Sequence, residues 1–504
     1  MTAPPAPGSK VREFPGRYGM WLLLAVAGLA VLDVGWVAVS YLIYPGYLDH
    51  GEPVVAMTSW RLLDGFPVYP AFDGPDLTTN IYGPITFLTH AVSFLLAGPG
   101  VATSKAAGIV AVTSIPVIVF FTQRRHGLPW ASTAVILAAG FILLGLPTSI
   151  WNRPDPFLAC LVAVSVWAMN VSKKGRPEWG KSVLIGLCGG LAAGFKLHAG
   201  VYFLPVVLLH CWGRGFKTFW LISAVGAVAL VAPFAFDPFS LANFAAWFPL
   251  VAAKNSEILP AAKVFRYLLF YLAPVLFFMA ALRWSARPLE KAETAYFGAF
   301  ILSVLIVLVP AVKPGAGWYY FFPFLAIVID MIVRYSASVI RNRTAVLGGV
   351  GVLAAALLIL SVPVQKRFQR ALHWDEARRI TAEIDEIMAA YPGTTIQMGT
   401  GDSFVGYNKT LYKPLLAFAG HPYTLDVGIA METTAGGIAL SKGLRARIED
   451  CHTQIWLVPT GESPFAMTGY YGNPVFDDSF KATFRRRYEK RKSFTYFDVW
   501  ACRR

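Results

Sequence analysis

Charge is scarce in this chain of 504 residues. Asp, Glu, Lys and Arg make up 14% of it, against roughly 25% in soluble domains, and 56% is hydrophobic. That balance excludes a single water-soluble globule and intrinsic disorder alike. Cysteine is scarce too, five in all, which excludes a disulfide-stapled miniprotein, and no Gly-x-y period supports a collagen. Acids are fewer than bases, 29 Asp and Glu against 44 Lys and Arg, giving a net charge of +15. The excess is not the footprint of a nucleic-acid partner, because the bases fall in short loops between apolar runs, where they fix topology. The sequence has no H-E-x-x-H, no C-x-x-C pair and no G-x-S-x-G, so zinc-protease, zinc-ribbon and serine-hydrolase readings have no support. A formal phosphate-loop match from Gly175 to Ser182 contains Pro177 and Trp179 and joins two apolar segments where a strand is required, so it reads as a basic loop.

What is abundant is apolar length. Residues 18–44 suffice to cross about 30 Å of hydrocarbon, and 15 Trp and 21 Tyr suit the aromatic belts at membrane surfaces. Lys10, Arg12 and Arg17 precede the run, so the chain starts inside; the run is too long for a signal peptide and no A-x-A site follows it. Five further basic loops, at 123–126, 172–181, 213–217, 283–291 and 334–343, all fall on that same side if 83–98 does not cross. As a helix that stretch would reach only about 24 Å, which supports a juxtamembrane or re-entrant reading. Eleven crossings follow, near 18–44, 105–122, 129–148, 156–170, 182–196, 199–212, 218–236, 264–282, 294–311, 318–333 and 344–363. The expected organisation is a cytoplasmic tail 1–17, a polytopic α-helical membrane domain 18–363 whose first outer loop, 45–104, carries juxtamembrane helices, and an outer α+β domain 364–504.

The outer domain is read from its patterning. DEARRITAEIDEIMAA, 375–390, places Ile380, Ile384, Ile387 and Met388 on one face, with Asp375 as cap and Pro392-Gly393 as stop. TTIQMG, QIWLVPT and FTYFDVWAC read as strands, and EKRK at 489–492 as a hairpin turn. Cys451 and Cys502 share this domain and could bridge if the compartment is oxidising, whereas Cys160, Cys188 and Cys211 fall in membrane segments as small packing residues.

Ionisable residues gather in the outer loops. The first loop opens with Tyr47-Leu48-Asp49-His50-Gly51-Glu52, where helical three-residue spacing would put Asp49 and Glu52 about 5–6 Å apart at Cβ, close enough to share a metal or a proton. A solvated acidic loop is the plainer reading. The same loop holds Asn80-Ile81-Tyr82-Gly83-Pro84, the second loop Asn152-Arg153-Pro154-Asp155-Pro156, the third a Lys196-Leu197-His198 turn, and a later one Lys313 followed by Trp318-Tyr319-Tyr320. An isolated Lys or Arg in hydrocarbon costs roughly 2.5–3.5 kcal/mol, so Lys196 between apolar runs calls for an anion nearby or a snorkel to water. Acids beside bases at one membrane face suit phosphate-ester chemistry.

At these residues the chain resembles the GT-C superfamily of polytopic glycosyltransferases that use polyprenyl-phosphate sugars, in particular bacterial relatives of protein O-mannosyltransferases and of the lipid A aminoarabinose transferase. YLDHGEPVVAMTSWRLLDGFPVYP, NIYGPITFL, NRPDPFLA, GLAAGFKLHAGVYFLP and WYYFFPFLAIV carry the resemblance in the family's order. It implies inverting transfer of a sugar from a polyprenyl-phosphate donor to a lipid-linked, glycan or protein acceptor at the periplasmic face of a bacterial inner membrane. It implies Asp49 as base, with Glu52 and Asp155 orienting the acceptor or holding a cation, and Arg153, Lys196, His198, Lys313, Tyr82 and Tyr319 on the substrate side. Many members carry an adjacent acidic pair where this chain has Asp49 and Glu52 split. Metal use varies across the superfamily, and an all-oxygen set of Asp49, Glu52 and Asp155 would favour Mg²⁺ or Mn²⁺. The aromatic run from Trp318 to Phe324 reads as the lining of a lipid groove or as core packing. A secondary transporter or flippase, suggested by Asp33 inside the first helix, is the rival from another class, but a transporter would hold its ionisable groups at the midplane. A non-catalytic scaffold would leave Asp49, Arg153 and Asp155 dispensable.

Overall fold

The computed structural model describes residues 17–71, 73–78, 82–171, 178–252, 258–284, 289–313, 315–339, 343–469 and 472–503. The tail with Lys10 and Arg12, the Asn80-Ile81 pair and the basic stretch 172–177 lie outside the described residues. Long uncharged runs leave helices as the only way to satisfy backbone polar groups in hydrocarbon. They form α1 (Arg17–Ile43), α2 (Gly51–Leu63), α3 (Pro84–Ala97), α4 (Val101–Gln123), α5 (Leu128–Leu144), α6 (Asp155–Asn170), α7 (Glu178–Phe195), α8 (Leu204–Cys211), α9 (Phe216–Val231), α10 (Leu241–Ala252), α11 (Ile258–Trp284), α12 (Lys291–Ala311), α13 (Leu325–Val339) and α14 (Arg343–Ala371). Tight 3₁₀ turns, Leu197–Phe203 and Trp318–Phe324, precede α8 and α13. Among the described residues, six segments are long and apolar enough to cross a membrane: α1, α4, α9, α12, α13 with its preceding turn, and α14; α3, α5, α6, the α8 region and part of α11 are shorter apolar helices. The chain is a polytopic helical membrane protein. At 14 residues α3 is about 21 Å long, short of the hydrocarbon thickness.

A helix apolar on every face belongs inside, and α5 is buried at every residue from Trp130 to Leu143, enclosed by α1, α4, α13 and α14. Small residues set the closest approach. Gly186 and Gly190 of α7 lie so near α9 that a Cβ would stand 2.6 Å from the Ile222 carbonyl oxygen and 2.2 Å from that of Gly226. This packing fixes α7, whose last turn delivers Lys196. Asp33 of α1 accepts a hydrogen bond from Gln365 Nε2 of α14 at 3.0 Å, which satisfies it between helices.

The C-terminal domain, expected from loop charge to be the outer one, follows α14, which continues as one helix through the expected boundary at 363 to Ala371. Its elements are α15 (Trp374–Ala390), β1 (Ile396–Met398), α16 (Phe404–Lys409), α17 (Pro414–Phe418), α18 (Val427–Ala435), α19 (Lys442–Glu449), β2 (Ile455–Pro459), α20 (Asp478–Arg487), β3 (Tyr488–Ser493) and β4 (Phe497–Cys502). The sheet order is β1-β2-β4-β3, with β1 parallel to β2 and the other pairs antiparallel. Ile380, Ile384 and Ile387 of α15 pack on Ile396, Leu457, Phe497 and Val499 in a core continuous with Phe368 and Leu372 of the membrane domain. The helix is preceded by His373, which makes no side-chain cap, and Asp375 lies inside its first turn, where a carboxylate favours the helix dipole instead. The EKRK stretch is strand β3 and not a turn: Tyr488 anchors it by stacking on Phe484 at 4.7 Å, and its exposed cations suit an edge strand that must not pair further. The reversal falls at 494–496, closed by Phe494 N–H donating to the Phe497 carbonyl at 2.8 Å. Cys451 and Cys502 are bridged, their Cα atoms 5.9 Å apart.

The first loop ties the two parts together. Leu77 pairs with Leu425 in a parallel bridge, Arg61 Nη1 donates to the Tyr423 carbonyl at 2.6 Å, and Asp76 meets Arg447 at 3.1 Å.

Candidate active site

Four loops meet where α1, α5, α7 and α12 end. Gly83 N–H donates to the Phe195 carbonyl at 2.9 Å, and a Cβ on Gly83 would stand 2.1 Å from the Gly194 carbonyl oxygen, so only glycine lets the first loop lie on the end of α7. That contact brings Tyr82 over Lys196, whose Nζ is 5.6 Å from the Tyr82 ring centre. The second loop is held by Asn152, whose carbonyl accepts from His90 Nε2 of α3 at 2.7 Å.

Asp49 and Arg153 form one ion pair, Oδ1 to Nη1 at 2.7 Å; Asp155 and Lys196 form another, Oδ1 to Nζ at 2.7 Å. Arg153, Asp155 and Lys196 are buried, and Asp49 keeps 22% of its side chain exposed. Arg153 Nη2 also donates to the Tyr319 hydroxyl at 2.9 Å, its guanidinium lies 4.0 Å over Trp151, and its Nε is buried without a partner. Lys196 is ringed by Tyr319 and Tyr320 at 5.3 and 4.7 Å. Tyr82 and Tyr319 therefore border both cations, and the aromatic walls lower the local dielectric and strengthen every charge interaction there. Burial favours the neutral form of Asp49, but the Arg153 guanidinium outweighs it and holds the carboxyl at about 2. Burial likewise opposes the charge on Arg153, and Asp49 overrides it.

Glu52 does not share Asp49's surroundings. It is completely buried and turned inward, accepting from the Tyr41 hydroxyl at 2.5 and 2.6 Å, from the N–H groups of Leu48 and Asp49 at 3.1 and 3.2 Å, and from Asn152 N–H at 3.2 Å. Burial lifts its carboxyl above the ordinary range, with Tyr41 and Lys105 pulling the other way. It is a hub joining α1, the first loop and the second loop. Lys105 of α4 completes the hub by donating to the Tyr41, Tyr44 and Gly46 carbonyls at 3.0, 2.8 and 2.6 Å, thereby capping the end of α1. The signals for it in the sequence are a lysine heading an apolar span and tyrosines recurring at 41, 44 and 47.

The expected metal set does not assemble. Glu52 faces Tyr41, both Asp155 oxygens are taken by Lys196 and Trp151 Nε1, and Asp49 is committed to Arg153. Among the described residues no three His, Cys, Asp or Glu side chains form a group able to hold a metal ion. The residues present do not fit a shared Mg²⁺ or Mn²⁺. His198 lies beside the site, stacked on Tyr320 at 5.0 Å, with Nε2 unpartnered. Lys313 sits half-buried in the turn after α12. His50, to which the sequence reading gave no role, places Nδ1 3.8 Å from Asp49 Oδ2 and stands against Tyr407 of the outer domain.

Opposite this site, the other ends of α4 and α6 meet α13 in a second polar cluster. Buried Asp330 accepts from Gln123, Asn170, Arg125 and Arg334 at 2.9–3.1 Å. These residues lie in or beside the basic loops expected on the cytoplasmic side.

No protein-family model matches the chain, and no curated protein sequence matches it. Solved structures do. The chain is similar to ArnT from Cupriavidus metallidurans bound to undecaprenyl phosphate, with 13% identity, TM-score 0.57 and coverage of 95% of this chain and 97% of that one. The apo state of the same protein gives a TM-score of 0.55 at 13% identity and the same coverage. The apo oligosaccharyltransferase of Archaeoglobus fulgidus gives 0.52 at 12% identity, covering 94% of this chain and 73% of that one. Near-complete mutual coverage with ArnT shows that this chain has the same fold as that protein, from the first membrane helix to the C-terminal sheet domain.

Proposed function

We propose that the protein is an inverting glycosyltransferase that moves a sugar from a polyprenyl-phosphate donor to a hydroxyl of a lipid-linked, glycan or protein acceptor, at the periplasmic face of a bacterial inner membrane. The observation that carries this reading is the pair of buried cations, Arg153 and Lys196, side by side under Tyr82 and Tyr319 and each neutralised by a single carboxylate. When the anomeric C–O bond breaks, its electron pair goes to the phosphate, which gains one negative charge. A guanidinium fork and a lysine already in place stabilise that added charge more than they stabilise the intact donor, which is the condition for rate enhancement. The acceptor oxygen attacks the anomeric carbon from the opposite face, inverting it, and its proton leaves toward the half-open Asp49 side. Asp49 and Asp155 hold the two cations in place through their ion pairs. The lipid tail needs only an apolar path between helices; of the aromatic run, Tyr319 and Tyr320 stand beside the two cations while Phe321, Phe322 and Phe324 are packed in the core. The fold shared with ArnT, a protein solved with undecaprenyl phosphate, agrees with this donor class.

The test is binding of polyprenyl phosphate to purified protein. Arg153→Gln and Lys196→Gln should each weaken it at least tenfold, measured on the folded fraction. Unchanged affinity in both variants would remove the phosphate from this site.

A further inference from the structure

Asp49 is poorly suited to take up a proton. Its Oδ1 already accepts from Arg153 at 2.7 Å and from Gly51 N–H at 2.8 Å, and a carboxyl held at about 2 is a weak base. The adjacent residue is better placed. His50 turns Nδ1 toward Asp49 Oδ2 at 3.8 Å, keeps 31% of its side chain exposed, and makes no ring hydrogen bond through Nε2 among the described residues. The C-terminal domain packs beside it. The Tyr407 ring of α16 lies 6.4 Å away, and Gly428 in the first turn of α18 has no side chain where a Cβ would stand 3.4 Å from His50 Cδ2 and 3.0 Å from the Tyr407 hydroxyl. The charged groups facing the imidazole are Asp49 and Arg153 from the membrane domain and the buried Lys413–Asp426 pair from the outer domain. Burial, reinforced by Arg153 against the pull of Asp49, keeps the imidazole below its ordinary range and so neutral at pH 7.

We propose that His50 is the group that takes the proton from the acceptor hydroxyl and that Asp49 orients its ring through Nδ1–H. The proposal rests on the glycosyl-transfer reading above. In the step itself the acceptor O–H bond breaks and its proton goes to His50 Nε2. The oxygen forms the new bond to the anomeric carbon, and the bond from that carbon to the phosphate oxygen breaks with its pair moving to the phosphate beside Arg153 and Lys196. Asp49 remains ionised and stabilises the imidazolium, the division of labour that makes an Asp–His pair effective where either alone is not. His50 Nδ1 and Asp49 Oδ2 stand 3.8 Å apart, and catalytic hydrogen bonds commonly shorten when substrate is bound.

The experiment compares turnover of polyprenyl-phosphate sugar by the full-length wild type, His50→Gln, and His50→Ala with and without added imidazole, across pH, alongside polyprenyl-phosphate binding. His50→Gln should lower turnover by about 10²–10⁴-fold with binding unchanged. The acid limb of the wild-type profile should vanish in that variant, and imidazole should restore turnover to His50→Ala. Near-wild-type turnover in His50→Gln with the acid limb retained overturns the proposal and leaves the glycosyl-transfer reading standing. Loss of turnover accompanied by loss of polyprenyl-phosphate binding, with no imidazole rescue, makes His50 a structural part of the loop and also overturns it. A wild type that transfers no sugar from any polyprenyl phosphate overturns both.

Discussion

Replacing Glu52 separates two readings of the first loop. The carboxylate is fully buried and accepts from the Tyr41 hydroxyl and from three backbone N–H groups, those of Leu48, Asp49 and Asn152, with the Lys105 charge close behind. Glu52→Ala strands those donors and leaves Lys105 without its counter-charge. Breaking one partner of a buried pair costs about 3–5 kcal/mol, and each unsatisfied buried donor costs about 1–3 kcal/mol before water enters the cavity. A loss of at least about 4 kcal/mol is therefore expected, enough to consume much of a native stability of about 5–15 kcal/mol. Glu52→Gln keeps the volume and one acceptor oxygen but turns an amide NH₂ on backbone donors, so it should lose about half as much. Thermal and denaturant unfolding of detergent-solubilised protein reads both variants, with polyprenyl-phosphate binding measured on the folded fraction. The reasoning is refuted if Glu52→Ala unfolds like the wild type yet fails to turn over, because Glu52 would then be catalytic and not a hub.

Three further outcomes follow from the same geometry. Asp155→Asn or Lys196→Met alone should destabilise by about 3–5 kcal/mol, and the double variant by clearly less than the sum, because each single change leaves one buried charge of the 2.7 Å pair alone; additive losses in a double-mutant cycle would show that the pair is not coupled. Asp49 is depressed from 3.8 to about 2, so its pairing with Arg153 contributes about 2 kcal/mol that is present above pH 4 and lost as pH falls toward 2. Unfolding measured down that range should show a steeper loss in wild type than in Asp49→Asn, and parallel curves would contradict it. Opening the Cys451–Cys502 bridge, which closes a 51-residue separation, should destabilise the outer domain by up to about 4 kcal/mol in the chain-entropy account, read by denaturant unfolding of Cys451→Ser; an unchanged midpoint would refute it.

Much of the architecture is legible in the sequence because length and loop charge constrain it directly. The parity of basic loops places Asp49, Arg153, Lys196 and Tyr319 on one side, and they meet there at the ends of α1, α5, α7 and α12. The strand patterns at 396–398, 455–459 and 497–502 are equally readable, whereas EKRK misleads because solvent-facing charge marks a turn and an edge strand alike. Partner choice is what periodicity cannot show. Three-residue spacing allows Asp49 and Glu52 one shared face, yet Glu52 turns inward because the buried Tyr41 hydroxyl and three N–H groups need an acceptor there. Lys105 escapes a sequence reading for the same reason, since its partners are main-chain carbonyls at the end of another helix. His50 is visible only once the outer domain folds back over the first loop.

The most direct measurement incubates purified wild type and Asp49→Asn with radiolabelled polyprenyl-phosphate sugars and hydroxyl acceptors, and follows label into product. The account predicts label transferred with inverted anomeric configuration by the wild type, and transfer reduced by orders of magnitude in the variant. Equal transfer by both, or retention of configuration, would contradict it.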